Sequence, residues 1–154
     1  MRKELEWIKH TRTNLLSLVN NLSIGQLNEL PPGFNNNITW NLGHLVAAQQ
    51  GVCYVRAGLE PPVGEAFYNL YKPGTKPEHF IDAAELEKIK GLLFSTLEPF
   101  EKDYQKGLFA NYPSWTTRYG VTLNNIEDAI SFLLFHDGFH VGYVMALKRA
   151  LKEQ

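Results

Sequence analysis

Two histidines, His136 and His140, stand four residues apart in the run Phe135-His136-Asp137-Gly138-Phe139-His140-Val141-Gly142-Tyr143-Val144. On a helix, residues four apart lie one above the other, so both rings can reach one ion. Helical counting puts Ile126, Ala129, Leu133, Val144 and Leu147 within roughly 40° of His140, which turns the pair toward a core. An imidazole there must satisfy two ring nitrogens away from water, and metal coordination is one way to do so. Ordinary hydrogen bonding of each ring inside the core is the other, and the spacing leaves both open. A third ligand would decide between them.

The candidate is His44, in the second charge-free stretch of the chain, Ile38 to Val55. It shares a helical face with Asn37, Asn41, Ala48, Gly51 and Val55, and the small residues among these leave room for a cavity. Neutral imidazoles suit zinc, nickel, copper and iron, and three of them leave a coordination position open for water or a thiol. Other polar residues come near this set. Asp137 is about 60° from His140 and is either an acceptor for an imidazole N–H, a catalytic general base, or a solvated or salt-bridged carboxylate. Asn41, one turn below His44, either hydrogen-bonds a ligand or substrate or satisfies the helix edge. Arg12 either snorkels out of the core edge or holds an anionic substrate in a pocket. His10 is predicted to face solvent, His79 to lie in a loop, and Cys53, about 180° around the helix from His44, to be a packed thiol.

Four helical segments must position these residues. The first runs from Arg2 to Leu22 on Leu5, Ile8, Leu15, Val19 and Leu22, with Arg12 completing the stripe. Leu30-Pro31-Pro32-Gly33 stops it, and the asparagines that follow offer an N-cap to a second helix from about Ile38 to Arg56, closed by Gly58. Leu59 to Ile81 is too rich in proline and glycine for a helix and too aromatic for a free linker. Fully extended it spans ~70 Å at ~3.3 Å per residue, enough for the next helix to run parallel to the second. That third helix starts at Asp82 with Glu85 three residues on and keeps its period to Gly107, with Pro99 kinking or ending it. Gly107 to Leu123 is an aromatic connection with a short extended pair, and Asn124 with Glu127 caps a fourth helix reaching Leu151. The expectation is an all-α four-helix bundle, up-down-down-up with a long crossover between helices two and three, forming a single domain over residues 1–154.

At 154 residues, 44% hydrophobic and 20% charged, the chain can bury one ordinary core. A net charge of -1 supplies no basic field for nucleic acid. Charges at Arg2, Lys3, Glu4 and Glu6 stand where a signal sequence needs its apolar run, and no stretch of about 18 apolar residues is apparent, so no membrane and a cytoplasmic location are expected. With Cys53 as the one cysteine, no internal disulfide forms.

The segments Trp40 to Leu45 and His136 to Val144 resemble the DinB-like family of four-helix-bundle metalloproteins, whose pattern is one histidine in the second helix and H-x-x-x-H in the fourth. The likeness continues through Gly142, and the order of elements fits the whole chain. Many members carry glutamine directly after that glycine, where this chain has Tyr143. The resemblance implies His44, His136 and His140 as ligands of one divalent metal, zinc or nickel first, with iron or manganese as alternatives. It implies a range of activities, from metal-dependent hydrolases to thiol-dependent S-transferases and an isomerase, acting on small molecules with a low-molecular-weight thiol as co-substrate. The alternative is a non-enzymatic metal-binding bundle serving as a stress-response or interaction protein; an enzyme needs a void beside the open position, which such a protein would fill. Finally, Gly138 and Gly142 fall roughly 160° to 200° from His140, with Leu134 and Phe135 close by. Together with Leu42 and Val46 they predict a homodimer closed through the second or fourth helix.

Overall fold

A computed structural model describes residues 1–152; the last two positions of the domain expected over 1–154 lie outside the described residues. Among the described residues the chain is all-α apart from one small strand pair. Its helices are α1 (Arg2–Val19), α2 (Ile24–Asn28), α3 (Ile38–Cys53), α4 (Glu65–Tyr71), α5 (Ala83–Ser95), α6 (Leu97–Gln105) and α7 (Ile126–Lys152). Strands β1 (Trp115–Thr116) and β2 (Thr122–Leu123) pair antiparallel between α6 and α7.

The stripe Leu5, Ile8, Arg12, Leu15 and Val19 is the buried side of α1. The helix stops at Val19, short of Leu22, because Ser23 begins a new one: its hydroxyl accepts the Gln26 N–H while the Gln26 side chain accepts the Ser23 N–H. Asn37 caps α3 by accepting the Trp40 N–H at 2.8 Å. α3 is buried along most of its length, and Leu42 and Val46 are 0% exposed. They are therefore covered within one chain rather than open to a second copy.

The connection after α3 is more regular than its composition suggests. Gly64, at φ 85°, turns the chain into α4. The Tyr71 ring at the end of α4 lies where a side chain on Gly43 would be, its Cδ1 2.5 Å from an ideal Cβ. The glycine thus lets the short helix dock on α3, a tertiary gain that local propensity does not reveal.

The third helical stretch breaks at Ser95, four residues before Pro99. A proline ring clashes with the carbonyl four residues back, so the ladder ends there and Pro99 sits in the first turn of α6, where it is tolerated. The cap of α7 is Asn125, which accepts the Asp128 N–H at 2.8 Å, one residue later than the predicted Asn124.

α1 and α3 each pack against both α5 and α7. One core cluster joins Leu15, Val19, Ile38, Leu42, Leu86, Ile89, Val144 and Leu147. A second joins Leu5, Ile8, Cys53, Leu97, Phe100, Ile126, Ile130 and Leu133. Between them lies a polar layer containing Arg12 and the three histidines. By length and composition Ile126–Leu151 is apolar enough to cross a bilayer, at mean hydropathy 1.3, which the sequence reading does not anticipate. Its inner side, however, packs on α1 and α3 as a core helix.

Candidate metal centre

His44 on α3 and His136 and His140 on α7 are buried, and the nitrogen that each offers lies within 4.8 Å of the others. A shared ion at ~2.0–2.1 Å from each nitrogen needs separations under about 4.2 Å, so small side-chain rotations close the set. The ring centroids are 4.8 Å (His44 to His140), 5.2 Å (His44 to His136) and 4.5 Å (His136 to His140) apart.

Two of the rings are held in one tautomer. The Asn41 amide nitrogen donates to the Asn37 carbonyl at 2.7 Å, so its oxygen faces His140 and accepts Nδ1–H at 2.8 Å. His140 Nε2 therefore carries a lone pair, and it is buried without a partner. His44 Nδ1–H donates to the Tyr71 carbonyl at 2.7 Å, one of the C-terminal carbonyls that α4 leaves unpaired, and again Nε2 carries the lone pair. Trp40 stacks on His44 at 4.6 Å and 11°, fixing the ring plane. His136 Nδ1 is also buried and unpartnered, 3.9 Å from the equally unpartnered Asp137 Oδ1.

Burial, before any other influence, disfavours charge on His44 and His140. It pushes His44 down to about 4, although the Tyr71 carbonyl partly offsets this, and His140 down to about 2, with His136 and His44 adding to the effect. Arg118 lowers both further. Neutral imidazoles with free lone pairs at neutral pH are the protonation state a divalent ion requires. Cys53 is buried away from this set, and burial raises its thiol far above the ordinary range. His10 and His79 are exposed, and His79 turns to Glu85.

Arg12 neither snorkels nor reaches a ligand pocket. It is 0% exposed, donating Nε–H to Asp137 Oδ2 at 2.9 Å, Nη1–H to Gln49 Oε1 at 3.0 Å and to the Leu93 carbonyl at 2.8 Å. The helix break after Ser95 is what frees that carbonyl from the α5 ladder. Asp137 is likewise 0% exposed, so it is a salt-bridged carboxylate rather than a solvated one, with Oδ2 on Arg12 and Oδ1 facing His136. Asn41 is an orienting partner of His140.

A cavity of about 480 Å³ opens beside His44 and His136, walled by Trp115, Tyr119 and Phe132, with Arg56 and Arg118 on its lining. A second, of about 300 Å³, adjoins His44 and His140 and includes Asn41, Arg118 and Tyr143. Trp7 is half exposed and Trp40 stacks on His44, so neither fills the larger void. Arg118 belongs to the β1–β2 connection, which sequence reading marks as a turn through Tyr119-Gly120 without assigning its arginine a place.

The family model described as the DinB superfamily matches residues 8–144 of the chain. No curated protein matches it.

Proposed function

Since the chain belongs to the DinB superfamily, we propose that it is a divalent-metal-dependent enzyme whose reaction centre is built on His44, His136 and His140. The observation that carries this is the buried, unpartnered His140 Nε2, aimed at two other imidazoles while Asn41 holds its opposite nitrogen. An orphaned lone pair in a core costs stability unless something accepts it. A divalent ion bound there supplies Lewis acidity toward a water, a thiol or a substrate oxygen, which suits a hydrolase or a thiol-dependent S-transferase. Tyr71 and Asn41 orient the ligands, Trp40 shields one side from water, and the adjoining cavities give a small molecule room to reach the remaining position. That space favours this reading over a purely structural metal site.

The reading includes an up-down-down-up bundle of α1, α3, α5 with α6, and α7. It is supported by the core clusters: the start of α1 shares one with the start of α7 and the end of α3, and the end of α1 shares the other with the starts of α3 and α5 and the end of α7. It also includes a cytoplasmic homodimer closed through α7, whose exposed Phe135, Phe139 and Met145 flank Gly138 and Gly142, with open space around both glycines. Light scattering should give twice the chain mass for the wild type and a monomer for Gly142→Arg; a monomeric wild type at high micromolar concentration sinks the dimer.

Elemental analysis of tag-free protein should find close to one equivalent of metal. Alanine at all three histidines should abolish it, and unchanged content would refute the assignment. Turnover of ester, amide or electrophile-plus-thiol substrates should require both the metal and His44.

A further inference from the structure

The wall of the larger cavity carries charge of one sign. Arg56 and Arg118 line it, and none of its lining residues is an aspartate or glutamate. Among the described residues neither arginine has a carboxylate partner. The Arg56 guanidinium lies over the Trp115 ring at 4.1 Å, and Arg118 donates to the Tyr119 hydroxyl at 3.0 Å, its guanidinium 5.1 Å from that ring. Each is thus steadied by an aromatic side chain while most of its N–H donors stay free. That is the condition of a guanidinium prepared for a carboxylate or phosphate, and it contrasts with Arg12, whose donors are taken up inside the core. The rest of the wall is apolar or aromatic, including Val52, Val55, Tyr68 and Phe132.

From this we infer that the cavity binds a small anionic molecule with an apolar or aromatic body, its carboxylate or phosphate held by Arg118 and Arg56 and its body against Trp115 and Phe132. About 480 Å³ suits a ligand of drug-like size. His44 and His136 line the same space, so the molecule would lie beside the proposed reaction centre. The inference deepens the proposed function by naming its substrate class, yet binding through the arginines does not depend on a bound metal.

The test uses metal-free, full-length protein and two probes with one ring skeleton, 1-anilinonaphthalene-8-sulfonate and the uncharged N-phenyl-1-naphthylamine. Binding is followed by energy transfer from tryptophan, with Trp115→Phe identifying the share that comes from this cavity. The anionic probe should bind about tenfold more tightly than the neutral one, and added salt should weaken it. Arg118→Gln and Arg56→Gln should each remove much of that preference and leave the neutral probe unaffected; Arg118→Lys should keep part of it. Both arginines are exposed, and an unchanged melting temperature verifies that each variant folds. Benzoate and phenyl phosphate as competitors tell a carboxylate ligand from a phosphate. Equal affinity for the two probes, a preference indifferent to both glutamine variants, or displacement by neither competitor overturns the inference. Metal content is measured separately, so a failed metal site and a failed anion site give different results.

Discussion

Two polar clusters meet at Asp137, and they differ in whether they are complete. Around Arg12, every partner is inside the chain: Asp137 Oδ2, the Gln49 side chain and the Leu93 carbonyl accept from it, while Thr96 bonds Gln49 in turn. Around the histidines, His136 Nδ1, His140 Nε2 and the other Asp137 oxygen find no partner, and cavities adjoin them. A core can carry buried charge when its hydrogen bonds close on themselves, and such a cluster ties helices together. One left open on a single side is arranged for something the chain does not contain. Buried polar groups thus close on one another in one place and leave atoms open a few ångströms away.

Breaking the closed cluster should have the largest effect. Arg12→Ala leaves Asp137 charged and unpaired in the core, and should cost about 3–5 kcal/mol in urea unfolding. The pair Arg12→Met with Asp137→Leu should recover most of this, since both charges then leave together. A loss below about 1 kcal/mol for the single variant would mean the cluster is not the tie it looks like.

Next comes acid, which acts on the open cluster. Burial holds His44 near 4 and His140 near 2 in the fold, whereas histidines of the unfolded chain titrate near 6.5. As pH falls below 6.5 the unfolded chain takes up protons first, so stability present above that value is lost progressively toward pH 4. For His44 alone the loss is on the order of 3 kcal/mol in metal-free protein. Denaturation midpoints between pH 7 and 4 test this, and His44→Gln should flatten the slope. A wild-type midpoint insensitive to pH would show that the rings are hydrated in solution.

The smallest effect should come from the link that only orients. Asn41→Leu removes the acceptor of His140 Nδ1–H and should weaken metal binding by about 10–100-fold in chelator competition, while Asn41→Asp retains an acceptor and most of the affinity. Equal affinity for wild type and Asn41→Leu would make the asparagine a helix-edge residue only.

The contrast was partly legible in the sequence. His136 and His140 reveal themselves by spacing, His44 by its place in an uncharged stretch, and Asn41 by standing one turn away on the same face; all are local periodicities. Arg12 is legible as an inward cation, but its partner Asp137 is 125 residues distant, and no local pattern encodes that pairing. α4 escapes because seven residues between prolines and glycines carry little helical signal, and its docking depends on the missing side chain at Gly43. Arg118 escapes for a similar reason: it reaches both cavities only after the β1–β2 pair has folded back toward α7.

Tyr71 ties this core to its shortest docked helix but one. Its ring fills the space over Gly43 and its carbonyl accepts the hydrogen bond from His44 Nδ1–H, so the docking of α4 and the aim of His44 are one event. A helix of seven residues does not persist by itself in water. α4 therefore opens more often than the long helices, and each opening releases His44 to rotate out of register with its two neighbours. At the proposed metal site, opening of this segment should set how quickly an ion leaves. Amide exchange in α4, fast in metal-free protein and slowed when the histidines are engaged, would measure that off-rate from a stretch of chain that supplies none of the ligands.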